Sequence, residues 1–175
     1  MRNALTLLTQ YAEYHRDRRN ITTHFIGVPM IVFAVGVLLA RPVVPIGAVT
    51  LTPAWLLFWL SAAWYLTRHA VLGLAVSGAV GLLMLLAHST ETMSTLPWLA
   101  TGLGFFTLGW VIQFIGHYYE GRKPAFVDDL SGLLVGPMFV VAEAMFALGW
   151  NREMLQEIEK RAGPTVIRDL ANARP

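Results

Sequence analysis

The chain contains no cysteine, and charged residues make up only 14% of its 175 positions. Without cysteine there is no disulfide, no thiolate metal site and no cysteine nucleophile. The shortage of charge is matched by 55% hydrophobic residues, which is more apolar than a soluble domain of this length. The formal net charge is only +2, and arginines stand near the ends of apolar segments. This pattern argues against nucleic acid as a partner and favours lipid head groups.

Five apolar segments fill most of the chain, each near the length of about 20 residues that spans a bilayer. They cover residues 25–40, 42–66, 70–87, 96–116 and 130–149. The first is short for a full span unless residues 21–24 join it, and Pro45 and Pro53 predict that the helix of the second starts late or kinks. The last segment contains Pro137 and Glu143, which favours a re-entrant or bundle-packed helix over a full crossing. We therefore predict an all-α, polytopic membrane helix bundle. It has four spans, an N-terminal amphipathic helix and a re-entrant or fifth apolar helix.

Charged segments flank this apolar region on both sides. Residues 2–19 are typical of an amphipathic helix in which His15 continues the apolar stripe, and this helix either lies in the membrane interface or packs onto the bundle. The tail is predicted to be helical until Gly163. The prediction is a single integral-membrane domain over residues 1–175. Its parts are an amphipathic or interface helix (1–24), a helical bundle (25–149) and a charged cytoplasmic tail (150–175).

The distribution of positive charge predicts an orientation. Lysine and arginine concentrate in the cytoplasmic loops of membrane proteins. One arginine cluster precedes the first span and another group of basic residues follows the last apolar segment. Four spans place both groups on the same side, so we expect both termini to be cytoplasmic.

Polar side chains gather at one predicted membrane edge, where the first span begins and the fourth ends. The group consists of His15, His24, Gln113, His117 and Glu120. Imidazole and carboxylate groups offer lone pairs to a divalent transition metal, and two histidines with one carboxylate leave positions open for oxygen or substrate. The alternative for any one histidine is a hydrogen bond to a head group or a backbone carbonyl, and His69 and His88 are assigned to it. Spacing alone leaves open which three groups bind.

Three sequence blocks carry a family resemblance. The first is YxxYHxxxxNxxxHxxGxP from Tyr11 to Pro29, and the second is QFIGHYYEGRKPA, which begins at Gln113. The third is GPMFVVAEAMFALG, which ends at Gly149. Taken together and in this order, the blocks resemble the DUF962, or Mpo1-like, membrane family. The chain looks like a bacterial member, which implies a location in the bacterial inner membrane.

The resemblance implies an activity. The characterised activity of the family is an iron(II)-dependent dioxygenase that shortens 2-hydroxy fatty acids by one carbon, in fatty acid α-oxidation. The expected partners are therefore a 2-hydroxy fatty acid, O2 and membrane lipids, with no nucleic acid. The expected cofactor is Fe(2+), which zinc can replace during purification.

The resemblance also implies roles for individual residues. The family histidines correspond to His15, His24 and His117, which are expected to be catalytic and, with Glu120, to bind the metal. Three further residues are expected around the ligands, where they orient imidazoles, bind bridging water or donate hydrogen bonds: Asn20, Gln113 and Glu143. The residues expected to pair with the substrate carboxylate are Arg16 and Arg19.

Two other classes of function stay open. A small transporter would line a path with ionisable groups near the middle of the membrane, where only Glu143 is expected. A non-catalytic membrane scaffold would bind no metal and would tolerate loss of the histidines. Metal content therefore separates the enzyme from the scaffold.

Overall fold

A computed structural model describes residues 2–47 and 49–169. Within them, seven α-helices and one short antiparallel hairpin form the regular structure, with a 3-10 turn at Ala125–Val127. The elements are α1 (Ala4–Ala12), α2 (Arg18–Leu38), β1 (Val44–Ile46), β2 (Val49–Leu51), α3 (Pro53–Arg68), α4 (Ala70–His88), α5 (Thr95–Glu120), α6 (Gly132–Ala147) and α7 (Arg152–Ala162). The molecule is an all-α membrane helix bundle, as predicted.

Three helices in the described part of the chain are long and apolar enough to cross a membrane, namely α2, α4 and α5. The helices α6 and α7 meet at a bend of 119°, so this pair is either one broken span or a re-entrant loop. Helix α3 has 16 residues. At 1.5 Å per residue it rises about 24 Å, which is short of a hydrocarbon core of about 30 Å. By length and composition, the described helices therefore include three candidate spans, or four if the bent pair counts as one.

The second predicted span, residues 42–66, is not one helix. Its first part forms the β1–β2 hairpin, in which Val44 lies opposite Leu51. Pro42 and Pro45 each lack the backbone N–H and so disfavour a helix that runs through this stretch. Helix α3 begins only at Pro53, where the side chain of Thr52 caps its N-terminus.

The amphipathic helix predicted over residues 2–19 is interrupted, because α1 ends at Ala12 and the next helix begins at Arg18. Helix α2 begins at Arg18, well before residue 25, the predicted start of the first span. The break occurs because Asp17 Oδ1 accepts the backbone N–H of Arg19 at 2.8 Å, the hydrogen bond of a helix N-cap. His15 therefore lies in the α1–α2 link, residues 13–17, and not on an amphipathic helix. Helix α1 packs against α6 and α7. Of the two predicted placements, interface or bundle, this is the packing onto the bundle.

The chain forms two compact units. One unit consists of Met1–Val28 and Val111–Pro175, and the other of Pro29–Trp110. The proposed single membrane domain over residues 1–175 stays a prediction. Helix α7 ends just before Gly163, whose φ is 87°. The tail is thus helical up to this glycine, as predicted. The last part of the predicted tail, residues 170–175, lies outside the described residues.

Helix α5 approaches α2 closely at Gly116. A Cβ atom at this position would collide with Thr23 Oγ1 and Asn20 Oδ1. The missing side chain therefore lets the two helices touch. The residue that follows Gly116 is His117, and the residue that follows Thr23 is His24, so this contact brings two of the predicted ligands together.

Candidate metal centre

Three histidines meet inside the first unit. His15 lies in the α1–α2 link, His24 in the second turn of α2 and His117 in the last turn of α5. One ring nitrogen of each lies within 4.8 Å of those of the other two. All three residues are buried, with at most 7% exposure. The ring centroid of His15 is 4.4 Å from that of His24 and 4.9 Å from that of His117. The three predicted catalytic histidines are thus placed together.

Backbone carbonyls fix the tautomer of two of these rings. Nδ1 of His15 lies 2.6 Å from the carbonyl of Tyr11, and Nδ1 of His24 lies 2.9 Å from that of Asn20. Because a carbonyl only accepts, each Nδ1 carries the proton and each Nε2 keeps a lone pair. Metal-ligating histidines usually donate their second ring N–H in this way.

Two nitrogens of the group are buried without a hydrogen-bond partner in the described chain, namely His15 Nε2 and His117 Nδ1. Buried polar atoms without partners are rare because their desolvation is costly. A cation bound to these lone pairs would offset that cost. Imidazole nitrogens suit iron, zinc, copper and nickel, so the donor set fits a divalent transition metal.

Burial determines the protonation state of His15. Desolvation, followed by the neighbouring His24 and His117, holds the pKa of His15 well below its ordinary value. The ring is therefore neutral at physiological pH. Neutral imidazole is the form that ligates a metal.

Aromatic rings cover His15. The ring of Tyr11 stacks on it with centroids 4.0 Å apart and an angle of 5° between the planes. Phe139 on α6 lies 5.4 Å from the same imidazole. In the sequence these two residues stand out only as positions in the family blocks. In the structure they separate the histidines from water, and a dry surrounding shell strengthens electrostatic interactions with a bound ion.

Glu120, predicted as a metal ligand, lies outside the three-histidine group. Its Oε2 accepts the backbone N–H groups of Arg16 and Asp17, at 2.9 and 2.7 Å, and Nδ2 of Asn20 at 3.1 Å. Its Oε1 lies 2.7 Å from Nη2 of Arg168. These donors offset the desolvation of a carboxylate that is only 2% exposed. Oε2 of Glu120 is thus used by the α1–α2 link and Oε1 is ion-paired with Arg168, and its role as a metal ligand stays a prediction.

The two amide side chains that were predicted to support the ligands are both buried. Asn20 holds His24 through its backbone carbonyl and donates from Nδ2 to Glu120. Gln113 lies one turn before His117 on α5, and neither of its amide atoms has a hydrogen-bond partner among the described residues. The backbone of Asn20 thus contacts a predicted ligand while its amide contacts Glu120, whereas Gln113 has both a donor and an acceptor available for water or a ligand.

Arg16 and Arg19, predicted to bind a substrate carboxylate, are engaged with protein groups. Nε of Arg16 donates to the carbonyl of His15 at 3.0 Å, and its Nη2 lies 3.5 Å from Oε1 of Glu143. Arg19 donates to both oxygens of Asp17, at 3.0 and 2.8 Å. Either arginine would have to exchange these partners to bind a substrate. Glu143 contacts the α1–α2 link through Arg16, and its supporting role stays a prediction.

Two residues of the network were not expected from the sequence, Asp17 and Arg168. Burial alone would raise the pKa of Asp17, but hydrogen bonds from Arg19 and from the backbone of Arg168 lower it to about 2. An aspartate directly before a helix is a recognisable N-cap signal. Arg168 has no such local signal, because its partners Asp17 and Glu120 are distant in the chain.

The remaining two histidines belong to the second unit. Nδ1 of His69 accepts the backbone N–H of Leu72 at 3.3 Å and caps α4. Nδ1 of His88 lies 3.1 Å from Oε2 of Glu91. Neither belongs to the three-histidine group, so the structure gives both a local role.

Comparison with known proteins agrees with the family resemblance. The sequence model of the family described as 2-hydroxy-palmitic acid dioxygenase Mpo1-like matches residues 1–148. The chain is 32% identical over 151 residues to the 2-hydroxy-palmitic acid dioxygenase MPO1 of Saccharomyces cerevisiae. That alignment covers 85% of this chain and 83% of the yeast protein. No solved structure matches the chain.

Proposed function

The chain belongs to the Mpo1-like family, and on that basis we propose that it is an iron(II)-dependent dioxygenase of fatty acid α-oxidation. It would shorten a 2-hydroxy fatty acid by one carbon. The observation that carries the proposal is the buried group of His15, His24 and His117, two of whose nitrogens have no protein partner among the described residues. The yeast relative, named for 2-hydroxy-palmitic acid, supports the substrate class.

His15, His24 and His117 are the proposed metal ligands. Iron(II) held there would supply the activation of O2, and zinc in its place would be inert in redox chemistry. Three neutral imidazoles leave the double positive charge of such an ion without an anionic ligand. The site therefore favours an anionic head group, such as the carboxylate of a 2-hydroxy acid. Because the metal would bind this carboxylate, neither Arg16 nor Arg19 has to leave its protein partner.

Gln113 is proposed to bind the head group of the substrate. Its amide offers a donor and an acceptor, and both are buried without a partner in the described chain. Nε2 would donate to the carboxylate, and Oε1 would accept the proton of the 2-hydroxyl group. A site that hydrogen-bonds a substrate hydroxyl discriminates strongly against analogues without it. This pairing would distinguish 2-hydroxy acids from unsubstituted fatty acids.

The acyl chain has an apolar surface beside the histidines. Phe25 and Ile26 follow His24 and are exposed, as are Phe114 and Ile115 on α5. Both helices are apolar enough to cross a membrane, so lipid tails would cover these side chains. A lipid substrate would thus keep its tail in the membrane while its head group reaches the metal centre. The proposed location is the bacterial inner membrane with both termini cytoplasmic.

Oxygen uptake by detergent-purified protein tests the proposed reaction. Protein loaded with iron(II) should consume O2 when 2-hydroxyhexadecanoate is added and should release a product shorter by one carbon. Hexadecanoate, which lacks the hydroxyl group, is the matched control and should give no uptake. Turnover by chelator-stripped protein would contradict an iron-dependent reaction, and iron-loaded protein that is inert towards 2-hydroxy acids would contradict the substrate class.

The substrate role of Gln113 is tested by Gln113→Leu, which has a similar volume but no polar atoms. Loss of hydrogen bonds to a charged head group should raise KM for the 2-hydroxy acid about 10- to 100-fold. The metal content should stay at the wild-type level, because Gln113 is not a proposed ligand. An unchanged KM would remove Gln113 from substrate recognition.

A further inference from the structure

After α7, the chain runs along the α1–α2 link. The residues from 163 to 168 are named the C-terminal strap here. Val166 forms a parallel bridge with Asp17: its backbone N–H donates to the carbonyl of Arg16, and its carbonyl accepts the N–H of Arg18, both at 2.9 Å. The carbonyl of Gly163 accepts Nη1 of Arg16 at 3.2 Å. The strap thus makes backbone hydrogen bonds on either side of Asp17.

Arg168 extends this contact to two buried carboxylates. Its Nη2 lies 2.7 Å from Oε1 of Glu120, whose side chain is fully buried. Its backbone N–H donates to Oδ2 of Asp17 at 2.8 Å. Its carbonyl accepts Nη2 of Arg19 at 2.7 Å, and Arg19 in turn is paired with Asp17. One residue of the strap therefore holds both acids of the link.

A series of contacts connects the strap to His15. A buried carboxylate is costly unless it is paired, and Arg168 is the ion-pair partner that the described residues give Glu120. The other oxygen of Glu120 accepts the backbone N–H groups of Arg16 and Asp17, the two residues that follow His15. Pairing Glu120 thus fixes the backbone that carries His15.

We infer that the C-terminal strap is a positioning element of the metal centre. Through Arg168 and Val166 it fixes the α1–α2 link so that the imidazole of His15 meets those of His24 and His117. The strap lies beyond residues 1–148, the part of the chain that the family model matches. The inference rests on the proposed metal-binding function of the three histidines.

Cobalt(II) titration of the full-length, metal-free protein, followed by d–d absorption, tests the strap with two matched pairs. Arg168→Ala removes the ion pair, whereas Arg168→Lys keeps the charge. Val166→Pro removes the N–H donated to Arg16, whereas Val166→Ala keeps it. The two disruptive variants should bind cobalt about 10- to 100-fold more weakly than wild type, the usual effect of losing a group that orients a ligand. Arg168→Lys should regain part of the affinity, and Val166→Ala should match wild type.

Arg161→Ala is the control for loss of a surface ion pair in the same region. Arg161 is exposed and pairs with Glu157 on the same helix, α7. It should keep wild-type cobalt affinity. Folded Arg168→Ala and Val166→Pro proteins that both bind cobalt like wild type would overturn the inference.

Amide hydrogen exchange on the metal-free proteins gives a second readout. Exchange at the amides of Arg16 and Asp17, which donate to Glu120, should be faster in both disruptive variants. Unchanged exchange would also overturn the inference. If wild type itself bound no cobalt, the proposed function would fail, and the exchange rates would still decide whether the strap fixes the link.

Discussion

At the scale of single residues, buried Glu120 is paired with protein groups, whereas two of the buried histidines keep a nitrogen without a partner in the described chain. Oε2 of Glu120 accepts from two backbone N–H groups and an amide, and its Oε1 is ion-paired with Arg168, so the carboxylate is engaged within the protein. Nδ1–H of His15 donates a hydrogen bond to a backbone carbonyl, and its buried Nε2 keeps a lone pair without a partner in the described chain. The carboxylate is thus suited to hold the backbone, and the imidazole is suited to ligate a metal.

Replacement of Glu120 distinguishes these two roles. Glu120→Gln keeps an oxygen that accepts the N–H groups of Arg16 and Asp17, so metal affinity should stay within about 10-fold of wild type. Glu120→Ala removes every acceptor and should cost about 10- to 100-fold. Isothermal titration with zinc measures both. Equal, complete loss of binding in the two variants would support Glu120 as a metal ligand instead.

The charge of Asp17 predicts a dependence of stability on pH. Its pKa in the folded protein is about 2, below the ordinary 3.8. A depressed carboxylate pKa stabilises the fold above pH 4, and this stabilisation is lost as the pH falls towards 2. Asp17→Asn keeps the N-cap acceptor but lacks the charge. Its thermal midpoint should lie below that of wild type at pH 7, and the difference should shrink between pH 4 and pH 3. A difference that is independent of pH would exclude the charge as the cause.

At the scale of helices, the metal centre depends on how closely α2 and α5 approach. Gly116 provides the contact, because any Cβ there would collide with Thr23 and Asn20. The contact lies directly beside His117 and His24. Helix packing and metal geometry are therefore coupled at this position.

Gly116→Ala should separate the two helices at the metal centre. Overpacking a tight contact costs about 1–3 kcal/mol, so the thermal midpoint and the bound metal should both decrease. Gly104→Ala is the matched control on the same helix, because a Cβ there meets nothing within 4 Å. It should be neutral or slightly stabilising through helix propensity. Equal midpoints and equal metal content in the two variants would contradict the proposed coupling.

Uninterrupted apolar composition allowed three helices to be predicted to within a few residues. Segments 70–87, 96–116 and 130–149 correspond to α4, α5 and α6. The α1–α2 break was missed because His15 fits a helical stripe, while the capping hydrogen bond of Asp17 overrides that periodicity. In segment 42–66, Pro45 and Pro53 predicted the late start of α3, which the structure confirms. The hairpin before it was missed because its composition is equally apolar.

The candidate site was predictable in its histidines and not in its hydrogen bonds. The family blocks pointed to His15, His24 and His117, which the structure brings together. The place of Glu120 depends on Arg168, which lies far along the chain and outside those blocks. Helical spacing placed Glu120 on the same face as His117 and could not indicate which donors would occupy its oxygens.

At the scale of the whole molecule, the arrangement of the chain in a membrane is the main prediction beyond the fold. By length and composition, the described helices give three candidate spans, or four with the bent pair. The contact between His24, near the start of α2, and His117, near the end of α5, places these two helix ends on one side. An even number of spans places the two termini on one side, and an odd number places them on opposite sides. Basic residues near both ends favour the cytoplasmic side for each.

Single cysteines can test this orientation without background, because the chain has none. In intact cells, Arg2→Cys and Lys160→Cys should be shielded from a membrane-impermeant thiol reagent. Ser94→Cys, between α4 and α5, should react. Labelling of Lys160→Cys from outside would place the tail on the other side and contradict the predicted orientation.

Metal analysis of the purified protein tests the central claim most directly, that His15, His24 and His117 bind one metal ion. Wild-type protein in mild detergent should contain stoichiometric iron, or zinc in its place, since zinc binds such sites more tightly than iron(II). Each of the three histidine-to-alanine variants should remain folded and monodisperse but lose nearly all of the metal. His88→Ala, whose histidine lies outside the group, should keep the wild-type content. Full metal content in the three variants, or a wild-type protein that holds no metal even after reloading, would contradict the account.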